Sequence, residues 1–486
     1  MTFFDASLWD GKLYSNGWNA GAGGKHAIFE PATGRDIGYF GVATAADVKC
    51  ATERAANAQP AWAAMPYEQR AAILRRGGEL VEKHADTLAY WLEREAGSAK
   101  GKAGFETHVV AGEFYEAAGL ASLPYGKLLR SGKPRLSLAR HIPVGIAGVI
   151  APFNFPQILS MRSVAPALAL GNAVILKPDP RTAVSGGLVF AEILQEAGLP
   201  DGLFHVLPGG AETGQALIEE PGIRVISFTG STRAGRAIGQ AAAKHLKRVH
   251  LELGGNNAML VTGDVDVARA ASAGAWGSFL HQGQVCMTTG RHLVHESVYD
   301  EYVERLTASA NRLSVGDGAK SDAALGPIID AHQRDRIHSL VTGSVSAGAK
   351  LAAGGTYEGL FYRPTVLADM RPEHPAFAEE IFGPVAPVLK FSSLDDAVRI
   401  VNDSEYGLSL AILSRDPMAA LHLAERMHSG IVHINDQTVD DEPTIPFGGV
   451  GASGTGSRFG GPDANIDAFT ETQWVTIQGE IERYPF

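Results

Sequence analysis

The chain is short of cysteine, of long apolar runs and of positive charge, and each shortage excludes a class of protein. Among 486 residues only Cys50 and Cys286 are cysteines. That is too few for a disulfide scaffold or a cysteine-rich zinc site. No HExxH or GxSxG occurs, and the HLE at His250–Glu252 lacks the PCxxC half of a zinc deaminase signature. No metal site is expected. Lysine and arginine number 42 against 53 aspartate and glutamate, a net charge of −11. A surface of that sign repels nucleic acid and anionic membranes over most of its area, so neither is an expected partner. The most apolar stretch, Ile142–Leu176, is broken by Pro143, Pro152, Asn154, Pro156, Arg162, Pro166 and Asn172 and would make a poor membrane span. The N-terminus MTFFDASLWDGKLY has acidic residues and no apolar run, unlike a secretory signal. A cytoplasmic protein is the expectation.

What is present is a long globular chain, 45% hydrophobic and 20% charged, enough for two large domains at roughly 100–200 residues each. Ala45–Gly97 reads as helices, with Ala71, Leu74, Leu80, Val81, Leu88 and Leu92 at helical spacing. Arg140–Ile150 is β-like and leads into APFNFP. Strands and helices then alternate: Ala173–Lys177, Leu203–Pro208, Arg224–Phe228 and Arg248–Leu253 read as strands. Gly186–Gly198, Glu212–Glu220 and Ala234–Leu246 read as the helices between them. Such alternation predicts a parallel, doubly wound sheet. A second alternating run after Gly255, with helices Val265–Phe279, Tyr299–Arg312 and Ala397–Asn402 and strand Arg291–His295, predicts a second α/β domain. Glu471–Gln478 alternates as a terminal strand that needs a partner in another segment or subunit.

Three places carry chemistry. FTGSTRAG (Phe228–Gly235) follows an apolar strand and opens a helix, a setting in which backbone amides hold a pyrophosphate; a plain βα turn capped by serine is the alternative. GVGASG (Gly449–Gly454) matches the dinucleotide fingerprint but follows PFG rather than a strand, and reads as a tight loop. Cys286 lies in a polar, glycine-bearing loop, HQGQVCMTTG, where a reactive thiol needs its pKa lowered by donors or dipoles; Cys50 lies in a helical pattern. Glu252 ends the strand HLEL before two glycines, as a structural acid or a general base. Asn154 in PFNFP is a turn former or a donor for a developing oxyanion.

PFNFP, AVILKP, FTGST, LELGG, GQVC, EEIFGPV and PFGGVGASG follow one another between about residues 150 and 460. Together they resemble the motif series of the aldehyde dehydrogenase superfamily. The resemblance implies two doubly wound α/β domains plus a small β oligomerisation element. The dinucleotide-binding domain would comprise residues 1–120 and 144–254, the catalytic domain 255–463, and the oligomerisation element 121–143 and 464–486, in a homodimer or homotetramer. It implies that Cys286 attacks an aldehyde, that Asn154 and the Cys286 amide hold the oxyanion, and that hydride passes to a nicotinamide. Glu252 would then activate the water that hydrolyses the thioester. Lys177 would bond the adenosine ribose, Gly230 and Ser231 the pyrophosphate, and Glu380 the nicotinamide ribose, with Phe382 packing nearby. Many NAD-preferring relatives carry glutamate where this chain has Pro180, and Asp179 beside it would oppose a 2′-phosphate or bind the ribose. NAD⁺ with some NADP⁺ use is the expectation.

Phe155, Ile158, Leu159, Arg162, Val285, Met287, Val439 and Phe447 are the expected substrate-side residues, with Arg162 either meeting a ring substituent or bridging to a structural acid. HINDQTVDDEPTIPFGG is similar to the matching segment of bacterial benzaldehyde and related aromatic-aldehyde dehydrogenases, implying an aromatic aldehyde as substrate. Aliphatic or semialdehyde oxidation, an acylating reaction with coenzyme A and a non-catalytic binding role are the competing readings. So is a cysteine hydrolase using His281.

Overall fold

Strands covered on both faces must be apolar throughout, and Ile146–Ile150, Ala173–Lys177 and Asn257–Val261 are buried at every position. These strands nucleate two separate sheets in a computed structural model that describes residues 3–486. The first sheet has seven strands, in the order Arg248–Glu252, Val225–Thr229, Ile146–Ile150, Ala173–Lys177, Phe204–Val206, Lys12–Ser15, Trp18–Ala20. Its first five strands are parallel. The chain starts in the middle at Ile146, builds outward through Phe204, then returns to add Val225 and Arg248 on the other side. Crevices form where a doubly wound sheet reverses in this way, beyond the carboxyl ends of its strands. The hairpin Lys12–Ala20 closes the far edge antiparallel, a feature without a motif in the sequence.

The second sheet also has seven strands, in the order Lys350–Ala353, Thr365–Ala368, Val385–Phe391, Thr289–His295, Asn257–Val261, Ser409–Leu413, Ile431–Ile434. All but the first strand run parallel. The carboxyl ends of the first sheet meet the amino ends of the second. Ala151–Asn154, Gly230–Ser231 and Leu253–Gly254 leave the first sheet where Cys286 and Phe382 lead into the second. One apolar core serves the first sheet, and the second has a core on each face.

Local boundaries differ from expectation for identifiable reasons. The helix expected from Gly186 starts as a π-helical turn, Val184–Leu188, and ends where Gly198 takes φ 90°, the left-handed conformation that closes many helices. The helix expected from Ala234 starts at Thr232 because Ser231 caps it. The terminal strand Thr470–Ile477 finds its partner within the chain, pairing antiparallel with Leu136–Pro143, which also pairs with Gly126–Leu128. Among the described residues no helix is long and apolar enough to cross a membrane.

Candidate active site

Between the two sheets lies a cavity of about 880 Å³. One end is lined by Lys177, Gly210 and Phe228–Ser231, the other by Asn154, Cys286, Glu380 and Phe382.

The first end is made largely of backbone. The Gly230 amide donates to the Glu252 carbonyl at 3.0 Å, and a Cβ at Gly230 would stand 2.5 Å from the Phe228 ring, so a side chain there would displace that ring. Ser231 accepts from the Ala234 amide at 3.3 Å and caps the helix Thr232–Lys244, whose amino end carries the partial positive charge of its dipole. The buried Lys177 ammonium has one bond, to the Pro178 carbonyl at 3.2 Å, leaving donors for a ligand; burial lowers its pKa. Asp179 lines the same cavity with its carboxylate already paired. Arg181 bonds both its oxygens, each at 2.9 Å, reaches Asp330 at 2.7 Å and lies over the Phe153 ring. The acid expected at the ribose is therefore engaged within the protein.

At the other end the EIF segment is held by its carbonyls. Arg336 donates to those of Glu380 and Ile381 at 2.7 and 3.0 Å, and Gln333 to that of Phe382 at 2.9 Å. Phe382 sits at φ 54°, rare for a bulky residue and a sign of imposed geometry. Its ring meets Phe153 edge-on, centroids 5.8 Å apart. Glu380 accepts from the Gly255 amide at 3.0 Å, and burial raises its pKa to about 7. Gln333, Arg336 and Arg181 carry no motif in the sequence: Gln333 and Arg336 act through carbonyls distant in sequence, and Arg181 ties Asp179 to the distant Asp330.

The nucleophile loop is shaped by His281, Gln282 and Gly283, all left-handed, at φ 48°, 55° and 64°. Asn257, first residue of its strand, donates to the carbonyls of Cys286 and Thr288, each at 2.8 Å. The expectation of a lowered thiol pKa is not met. Burial and the charges of Glu380, Glu252 and Asp441 push Cys286 up to about 12, with only the Met287 amide opposing. Glu252 ends its strand, buried, with neither oxygen hydrogen-bonded. Burial raises its pKa well above the carboxylate range, against the pull of Arg458 and Arg162, a perturbation of the kind found in groups that take up protons. Asn154 is buried and lines the cavity with Cys286. His281 stands edge-on to Phe155, its ring nitrogens unbonded, and burial holds it neutral; it does not pair with the thiol as a cysteine hydrolase would require.

Five of the expected substrate-side residues, Phe155, Val285, Met287, Val439 and Phe447, pack with Cys286 in one small apolar cluster. Leu159 lines the cavity. Ile158 belongs to the core of the first sheet instead. Arg162 is not a free cation: it bonds Glu113 at 2.9 and 3.0 Å, pairs with Asp441 at 2.8 Å, and its guanidinium lies 5.2 Å from the Phe447 ring centre. Of the two sequence alternatives, the bridge to structural acids is the one formed. GVGASG is a packing loop. Val450–Gly451 pairs with Tyr406–Gly407, and Gly454 bridges Glu252.

A cysteine and an amide line one end of the cavity, and a turn that opens a helix lines the other. Residues 18–475 match the model of the aldehyde dehydrogenase family, and the chain belongs to that family. It is 60% identical over 486 residues to a vanillin dehydrogenase of an Amycolatopsis species, covering all of both chains. It is 49% identical to an NAD(+) benzaldehyde dehydrogenase of Pseudomonas putida, covering 99% of this chain and 98% of the other. The crystal structure of a salicylaldehyde dehydrogenase from Pseudomonas putida G7, complexed with salicylaldehyde, superposes with a TM-score of 0.94 at 36% identity, covering 98% of this chain and 99% of that one.

Proposed function

We propose that the enzyme oxidises aromatic aldehydes of the benzaldehyde type to carboxylic acids, with NAD⁺ as main cofactor. The observation that carries the substrate class is the apolar cluster beside the thiol, in which Phe155, Phe447, Val285, Met287 and Val439 pack with Cys286. Such a wall favours a flat ring over a hydrated chain. The names of the full-length relatives point to the same class.

Cys286 Sγ gives up its proton to solvent and attacks the carbonyl carbon. The Asn154 amide and the Cys286 N–H donate to the oxygen of the tetrahedral adduct. When bound, a nicotinamide dinucleotide supplies the hydride acceptor. The acyl group left on Cys286 is a thioester, and Glu252 draws a proton from the water that hydrolyses it, which favours hydrolysis over transfer to coenzyme A. The cleft suits the dinucleotide: Gly230 and Ser231 sit where a pyrophosphate needs close backbone approach, Lys177 has spare donors for the adenosine ribose, and Glu380 is placed for the nicotinamide ribose with Phe382 beside it. Around Lys177 two cations, Lys177 and Arg181, face two acids, Asp179 and Asp330. That balance neither rejects nor anchors a 2′-phosphate, and we expect slower turnover with NADP⁺.

We further read residues 1–120 and 144–254 as the dinucleotide domain and 255–463 as the catalytic domain. Residues 121–143 and 464–486 would be an arm that joins subunits in a cytoplasmic homodimer or homotetramer. Exposed Leu128, Leu136, Trp474 and Ile477 on that arm support a covered surface. Absorbance at 340 nm with benzaldehyde, hexanal and each cofactor tests the substrate and cofactor assignments. A strong preference for hexanal, or turnover with NADP⁺ alone, would overturn them.

A further inference from the structure

The segment that carries Asn154 is gripped from behind by a buried ion pair. Lys102 and Glu106 lie one turn apart on the helix Lys100–Leu120, with side chains 2% and 0% exposed. Their charged ends bond each other. The Lys102 ammonium also donates to the Asn154 carbonyl at 2.8 Å and stands 4.3 Å from the centre of the Phe155 ring. The second Glu106 oxygen accepts from the Gln157 and Ile158 amides at 2.8 and 3.3 Å. Those are the first two amides of the helix Pro156–Ala169, since Pro156 has no N–H to offer. The pair therefore fixes the chain at Asn154 itself and just beyond it.

A buried ion pair is a poor source of stability, because desolvating two charges offsets most of their attraction. Its value here is geometric. Lys102 bonds only Glu106 and the Asn154 carbonyl, so its contacts converge on the residue whose amide must meet the oxyanion. We propose that Lys102, backed by Glu106, is a positioning residue that sets the Asn154 amide at the oxyanion. The inference rests on the reading of Asn154 as an oxyanion donor. His281, whose ring meets that of Phe155 edge-on, lies beside this cluster.

The test is a double-mutant cycle with benzaldehyde and NAD⁺, using Lys102→Met, Asn154→Ala and their combination. Lys102→Met/Glu106→Gln serves as the version that leaves no unpaired buried charge. Misplacing a reacting group by about 1 Å costs on the order of 100-fold, and loss of an oxyanion donor roughly 100- to 1,000-fold. The expected result is a kcat lowered about 10- to 100-fold in both Lys102 variants, with the KM for NAD⁺ and the rate of Cys286 alkylation by iodoacetamide unchanged. Combination with Asn154→Ala should add no further loss. Lys100→Met on the same helix, whose exposed ammonium pairs with Asp322, is the control and should match wild type. An unchanged kcat in the folded Lys102→Met/Glu106→Gln protein, or losses that multiply with Asn154→Ala, would overturn the inference while leaving Asn154 its role. Full activity in Asn154→Ala alone would overturn both.

Discussion

The two ends of the cavity are built from different materials. The dinucleotide end is made of strand ends and turns: Gly230, Ser231 and Lys177 follow directly from the paths of the two strands that flank Ile146–Ile150. The aldehyde end is made of side chains from segments far apart, Phe155, Val285 with Met287, and Val439 with Phe447. A site of the first kind changes little unless its backbone is altered. A site of the second kind is retuned by single side chains, and that is where relatives with one mechanism can diverge in substrate.

The comparison predicts a descending series of effects. Cys286→Ala should abolish aldehyde oxidation at either end's best substrate, by more than about 1,000-fold in kcat; residual turnover near wild type would place the nucleophile elsewhere. Glu252→Gln should lower kcat by roughly 100- to 10,000-fold, the range for a positioned base. In the wild type burial raises the Glu252 carboxyl pKa, so its basic form is lost as pH falls through that raised value and kcat should rise with pH across it. A profile flat from pH 5 upward would argue for another base. Phe447→Ala should raise the KM for benzaldehyde by about 10- to 200-fold, the worth of roughly 1–3 kcal/mol of apolar contact, while leaving the KM for NAD⁺ alone. Equal effects on both would break the division between the two ends. Gly230→Ala should do the reverse, raising the KM for NAD⁺ several-fold because the Phe228 ring must move. The smallest effect should come from Asp179→Asn. Its carboxylate serves Arg181, so NADP⁺ turnover should change by less than about threefold; a large gain would return Asp179 to the ribose.

The same contrast explains what was legible in the sequence. Strand ends are written locally: AVILK, RVISF and HLEL each announce a buried strand, and the residue that follows takes its place at the crevice by topology alone. The family motifs then named Cys286, Glu252 and Asn154; Asn154 and Cys286 line one cavity, and Glu252 lies buried one residue before its lining residues Leu253 and Gly254. What could not be read were relations between distant side chains. Arg162 was visible as a cation among apolar residues, but Glu113 and Asp441, which consume its charge, lie on a helix and a loop with no shared motif. Asp179 looked free because Arg181, two residues on, can fold back onto it or not with equal ease in an unfolded chain. Ile158 was assigned to the cavity by its nearness to Asn154. Helical geometry carries it instead to the side facing the first core. The thiol pKa was misjudged for the same reason, since the acids that raise it, Glu380, Glu252 and Asp441, converge on Cys286 only after folding.

The central claim is that an acyl group passes through Cys286 and leaves by water that Glu252 activates. Acid-quenched Glu252→Gln, mixed with benzaldehyde and NAD⁺ and examined by peptide mass spectrometry, tests it most directly. The account predicts a benzoyl mass on the peptide containing Cys286, accumulating to near one per active site with a matching burst of NADH. A burst with no adduct on that peptide, or an adduct confined to Cys50, would contradict it.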